Sequence, residues 1–162
     1  MKLPTLYKGS MVRNRMIAMS TYKSLGVWKE SRTLYKMLYA AVKQLPDDEK
    51  YAMSSQMRRA VISISSNIAE GQGRGTIRDY IHFLYNSRGS AYELETQIIA
   101  CGDLFLIDKA TLKNLYYQNK KVITLLNALI DSLESKIAPK NVQEEVAVYG
   151  NGNYENLSTP EL

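Results

Sequence analysis

Apolar residues recur at helical spacing in four separate blocks, and each block ends at residues that interrupt a helix. A chain patterned this way has few options other than packing helix against helix. Val27, Leu34, Leu38, Ala41 and Leu45 share one face of a helix predicted over about 27–44, which stops before Pro46. Asp47 or Asp48 is then placed to cap a second helix with the seam Met53, Met57, Ala60, Ile64 and Ile68, ending where Gly71 would tolerate positive φ. Thr76-Ile77-Arg78-Asp79 reads as a capping box with Asp in place of Glu, opening a third helix with Ile77, Leu84, Ala91, Leu94 and Ile98 inward and Gly102 at its close. Asp108 is placed to cap a fourth, with Ile107 and Leu112 as a hydrophobic staple and Leu115, Val122, Leu126, Leu129 and Leu133 along the seam. Alternating strand patterns never persist. Three short connections favour an all-α, antiparallel up-down-up-down four-helix bundle over 27–137. Residues 1–26 read as a flexible leader, and 138–162, opening with Ala138-Pro139, as a disordered acidic tail.

Charge is distributed unevenly. Residues 1–23 carry five Lys/Arg and no acid, 141–162 carry four Glu and no base, and the middle holds 16 basic against 12 acidic residues. A net charge of +5 permits contact with nucleic acid and also serves solubility alone. The single cysteine, Cys101, rules out an intramolecular disulfide and a cysteine-based zinc site, which fits a reducing cytoplasm. Its spacing from Leu94 and Ile98 marks it as a core residue. No apolar run reaches the roughly 20 residues of a membrane span.

The run Gln56-Met57-Arg58-Arg59-Ala60-Val61, continuing through Ser63-Ile64-Ser65-Ser66-Asn67-Ile68-Ala69-Glu70-Gly71, joins an apolar repeat to polar residues at the edge of its seam. Trp28 and Leu45-Pro46 lie before it, and Gly89-Ser90-Ala91-Tyr92-Glu93-Leu94-Glu95-Thr96 follows. In these features, over roughly Trp28 to Lys136, the chain resembles the bacterial four-helix-bundle proteins encoded in intervening sequences of large-subunit ribosomal RNA genes. It is more distantly similar to the accessory variability determinants of diversity-generating retroelements. The first resemblance implies a ring-shaped homopentamer associated with ribosomal RNA; the second implies a reverse-transcriptase partner.

On the first helix Lys29, Arg32, Lys36 and Lys43 fall within about 60° of one another, opposite the seam, with no acid among them. Such a stripe is either an ordinary solvated face or a track for phosphates, with Arg58, Arg59 and Arg74 as secondary cations. On the third helix Ile81, Tyr85, Tyr92 and Ile99 add a second apolar stripe, which suits an interface between copies. Gln56, Ser63, Asn67 and Glu70, with Arg88 and Glu95 opposite, could form a polar network fixing helix register. Gly89-Ser90-Ala91 would allow close helix approach.

Known catalytic patterns are missing. A di-metal bundle needs two Glu-x-x-His pairs, whereas the only histidine, His82, stands in a lone Asp79-x-x-His82. The Gly71-Gln72-Gly73-Arg74-Gly75-Thr76 turn follows a helix and lacks the Lys-Ser/Thr pair of a phosphate loop, although Arg74 and Arg78 could hold one phosphate at the next helix start. The sequence therefore predicts a non-enzymatic oligomer without cofactor or metal, binding structured nucleic acid, RNA foremost, through its basic surface. The rival is a protein-interaction scaffold or an accessory subunit of a nucleic-acid enzyme such as a reverse transcriptase.

Overall fold

The structure, a computed structural model, describes residues 21–138. All of the expected tail but Ala138, and all but the last six residues of the expected leader, lie outside the described residues. Four helices follow one another: α1 (Gly26–Ala41), α2 (Met53–Gln72), α3 (Ile77–Asp103) and α4 (Lys109–Ile137). Short 3-10 turns at Tyr22–Ser24, Val42–Gln44 and Asp47–Lys50 precede α1 and join it to α2, and no strand occurs among the described residues. Each helix packs on its chain neighbours, and α1 packs on α4, so the four close into an all-α bundle.

The helical periodicity predicted the core well. Val27, Leu34, Leu38, Ala41 and Leu45 are buried, as are Met57, Ala60, Ile64 and Ile68, then Leu84, Ala91, Leu94 and Ile98, and finally Leu115, Val122, Leu126 and Leu133. Met53, Ile77 and Leu129 are only half-buried, and Ile130 takes the deep position beside Leu129. Burying each of the Val, Leu, Ile and Met side chains contributes roughly 1.5–3 kcal/mol, which is what holds helices of this length together. Cys101 lies in the same core, its thiol 3.8 Å from the Met57 sulfur.

Two of the expected caps form. The Thr76 hydroxyl oxygen accepts the Asp79 N–H at 3.1 Å and donates its own proton to the Asp79 carboxylate at 2.6 Å. Asp108 accepts the Thr111 N–H at 2.9 Å, with Ile107 and Leu112 buried as the staple. The cap of α2 differs. Asp47 and Asp48 are consumed in a 3-10 turn, Ala52 holds the N-cap position without a side-chain bond, and Glu49 accepts the Met53 N–H at 3.3 Å.

Gly71 does not end α2 through positive φ. No glycine among the described residues has positive φ, and Gly71 lies within the helix, where a Cβ would come 2.7 Å from Phe83 Cβ and 2.8 Å from Tyr80 Cδ2. It is there so that α2 and α3 can approach. Of Gly89-Ser90-Ala91, expected to allow close approach, Gly89 faces open space, while Ala91 is fully buried and Ser90 reaches Ser63 on α2. Ser87 is a further buried small residue of α3, donating to the Ile64 carbonyl of α2 at 2.9 Å. Nor does Gly102 turn the chain after α3. Phe105 takes the left-handed conformation (φ 54°), and the Leu106 N–H returns to the Cys101 carbonyl at 2.9 Å.

Candidate nucleic-acid interface

Because the core face of α1 is fixed by Val27, Leu34, Leu38 and Ala41, the opposite face must meet solvent, and Lys29, Arg32, Lys36 and Lys43 are all exposed there. Lys43 stands on the 3-10 turn after α1, so the four cations run about 20 Å along the bundle. None is ion-paired among the described residues. Glu30, the acid of this helix, points the other way. It pairs with Lys121 at 2.9 Å and accepts from Gln118 at 2.8 Å on α4, and these two partners hold its carboxyl below the ordinary value.

The secondary cations divide. Arg58 reaches from α2 to lie over the ring of Tyr39 on α1, 5.0 Å from its centroid, and Arg59 is exposed. Arg74 is ion-paired with Glu70 and laid over Phe83 at 4.5 Å, which removes much of its charge from a shared track. The start of α3 offers little room for an added phosphate, because the Asp79 carboxylate already occupies the Thr76 cap.

Periodicity read for charge missed a line of rings at the edge of this face. Trp28, Arg32, Tyr35 and Tyr39 recur at i, i+4, i+7 and i+11, and all three rings are half-buried. Tyr35 and Tyr39 stack with centroids 4.4 Å apart and planes at 25°, Arg32 lies 5.1 Å over Trp28, and Tyr22 meets Trp28 edge-on. The spacing was visible in the sequence; that α2 would flank it with Arg58 was not.

The second apolar stripe on α3 is partly absorbed within the chain. Ile81 is sealed in the core and Ile99 is half-buried, whereas Tyr85 and Tyr92 remain exposed. The Tyr85 hydroxyl donates to Glu134 on α4, which raises its pKa, and Arg88 covers its ring at 4.8 Å. Tyr92 is 47% exposed, and Tyr117 on α4 is 55% exposed.

The polar flank forms a smaller network than predicted. Asn67 donates to the Ser63 carbonyl and hydroxyl, and Ser90 of α3 donates to the Ser63 hydroxyl at 2.9 Å. Arg88 and Glu95 turn to α4, bonding Asn127 at 3.0 Å and Lys120 at 3.3 Å; Glu70 serves Arg74, and Gln56 is exposed outside the network. Burial pushes the Cys101 thiol up to about 11, so it stays protonated. His82 is exposed beside Phe83, and among the described residues no three His, Cys, Asp or Glu side chains gather as metal ligands. A shallow groove between α1 and α4, lined by Met37, Ala40, Ala41, Gln44, Thr111, Asn114 and Leu115, contains no charged side chain. No helix among the described residues is long and apolar enough to cross a membrane.

The fold is shared with a solved crystal structure of a protein of unknown function from the S23 ribosomal protein family of Bacteroides thetaiotaomicron. The TM-score is 0.60 at 22% identity, covering 64% of this chain and 97% of that one. No curated protein matches the chain. The sequence profile of the 23S rRNA-intervening sequence proteins matches residues 23–128, from the turn before α1 well into α4. That match spans well over half of the chain and every helix of the bundle, and the chain therefore belongs to the 23S rRNA-intervening sequence protein family.

Proposed function

We propose that this protein is a non-enzymatic bundle that self-associates and holds structured nucleic acid, RNA foremost, on the outer face of α1. One observation carries the reading: Lys29, Arg32 and Lys36 on α1 and Lys43 on the turn after it are exposed, and none of the four is ion-paired among the described residues. Cations held this way gain by releasing counterions from a phosphate chain, and they touch the backbone without reading sequence. Several copies in one assembly would multiply a modest charge. The family name adds ribosomal RNA as the candidate ligand and the cytoplasm as the compartment.

The test is fluorescence anisotropy with a structured RNA and a DNA duplex across a salt series. Changing Lys29, Arg32, Lys36 and Lys43 together to Gln should weaken binding of both ligands and flatten the logarithmic salt slope by about 0.7–0.9 for each phosphate no longer neutralised. Unchanged affinity and slope in a variant of unchanged mass and helicity would reject this face.

A second reading rests on Tyr92 and Tyr117, whose large exposed rings suit a protein contact. The same surface would serve self-association, a pentamer by family resemblance, or an accessory role beside a nucleic-acid enzyme such as a reverse transcriptase. Light scattering separates the cases: a monomer mass at every concentration removes self-association and leaves the scaffold role to a different partner.

A further inference from the structure

The rings beside the cation track have a use that charge alone does not explain. Trp28, Tyr35 and Tyr39 pack against the core but are only half-buried, and helical spacing sets them next to the exposed Lys29 and Lys36 on α1. Two short columns of planar groups result: Trp28 with Arg32, and Tyr35 with Tyr39 and Arg58. Arg32 and Arg58 are exposed, so each column includes a cation that solvent can reach. Trp28 and Tyr35 are seven residues apart on one helix, about 10 Å, which corresponds to three stacked-base steps of about 3.4 Å.

A duplex keeps its base faces inside its own stack and could use only the cations. An unpaired strand can lay its phosphates along the lysines and its bases on the rings and guanidinium planes, the combination by which proteins hold single strands. The alternative, that these stacks only stiffen the α1 and α2 edge, accounts for the packing between them. It leaves unexplained why three rings and two guanidiniums are gathered beside unpaired lysines and not on an uncharged edge of the bundle.

We infer that the aromatic edge of α1 takes unpaired bases, so that the preferred ligand is single-stranded RNA, or an unpaired loop of a folded one, over a duplex. This rests on the preceding reading that the α1 cations hold phosphates, and it adds the ligand class. Binding is tolerant of sequence, because every base offers a π face.

Trp28 is the sole tryptophan of the chain, which makes it a reporter in the unmodified protein. Titrating the full chain with an oligouridine of about twelve nucleotides should quench its fluorescence and give tighter binding than an RNA duplex of equal length. Tyr35→Leu, which keeps apolar bulk, should weaken the single strand about fivefold or more, while duplex affinity and salt slope stay near the parent's. Tyr35→Phe should bind as the parent does, since the ring and not the hydroxyl is needed. Equal affinity for single strand and duplex, with Trp28 emission unmoved and Tyr35→Leu without effect, overturns the inference. The phosphate reading survives that outcome if the fourfold Gln variant still loses affinity for both ligands. Failure of the parent to bind either ligand overturns both.

Discussion

The side-chain amide of Asn119 in α4 donates to the carbonyl of Ala91 in α3 across 2.9 Å, from a position sealed from solvent. Its own carbonyl oxygen is buried without a partner. The bond ties the two longest helices at one register, and it compensates only half of a buried amide. Asn119→Ala is therefore expected to cost about 1–3 kcal/mol, with the orphaned oxygen removed at the same time. Urea titration of the two proteins measures the difference; a variant as stable as the parent would mean that the bond contributes nothing net.

Leu38, Ile64 and Leu126 are fully buried in three different helices. Truncating each to Ala should destabilise the bundle by about 2–5 kcal/mol, through forfeited transfer energy and an unfilled cavity. Denaturant midpoints that shift at all three positions would establish a single shared core, whereas a shift at only one would confine tight packing to that helix.

Gly71 and Gly89 lie in helices but should respond to alanine with opposite sign. At Gly71 the new Cβ meets Phe83 Cβ, an atom next to the backbone that cannot swing aside, so overpacking of about 1–3 kcal/mol outweighs the helix preference of alanine. At Gly89 nothing lies within 4 Å, and Gly89→Ala should stabilise by about 0.5–1 kcal/mol. Thermal melts of the two variants should therefore move in opposite directions.

Acid should loosen the bundle through Glu30 and Asp108. Gln118 and Lys121 hold the Glu30 carboxyl below its ordinary 4.5, and the Thr111 side chain and N–H, with Gln44, hold Asp108 below 3.8. Both groups bind a proton more weakly folded than unfolded, so their stabilisation is complete above the unfolded values. It is lost as pH falls through the lower folded ones. Joint replacement by Gln and Asn should lower stability near neutrality and flatten its decline in acid. Denaturant titrations at about pH 6 and about pH 3 test the sign.

Helical period alone located most core positions, because burial on one face is the signal that period carries, but it passed over Val42, Val61, Ile123 and Ile130. It could not say what a given residue does once buried. Gly71 looks the same in sequence whether it turns a chain or admits a neighbouring ring, and only the placement of Phe83 on α3 decides. Ile81 belongs by spacing to the tyrosine stripe, but the approach of its neighbours seals it in the core. The candidate site divides along the same line. Exposure of Lys29, Arg32, Lys36 and Lys43 follows from being opposite the seam, whereas the Tyr39 and Arg58 stack depends on which helix lies alongside. Sequence spacing within α1 contains no information about α2. The exchange of Glu49 for Asp47 and Asp48 at the α2 cap has a local cause, a 3-10 turn that shifts the register by one short turn.

Gln44, on the 3-10 turn after α1, bonds the start of α4 twice, its carbonyl accepting the Asp108 N–H at 3.1 Å and its amide donating to the Thr111 hydroxyl at 3.4 Å, while Glu30 and Gln118 meet farther along the same seam. These partners are 64 to 88 residues apart in the chain, against 23 to 28 for the bonds Ser87 to Ile64, Ser90 to Ser63 and Asn119 to Ala91. Closing so long a loop is the step with the greatest entropy cost, so hairpins of adjacent helices should assemble early and the seam between first and last helix zip late. The seam between α1 and α4 would then form last and be the first to open, while α1 keeps its packing on α2. A strand of nucleic acid gripping α1 and Arg58 of α2 together would act as a brake on unfolding, visible as slower amide exchange in α1 when ligand is present.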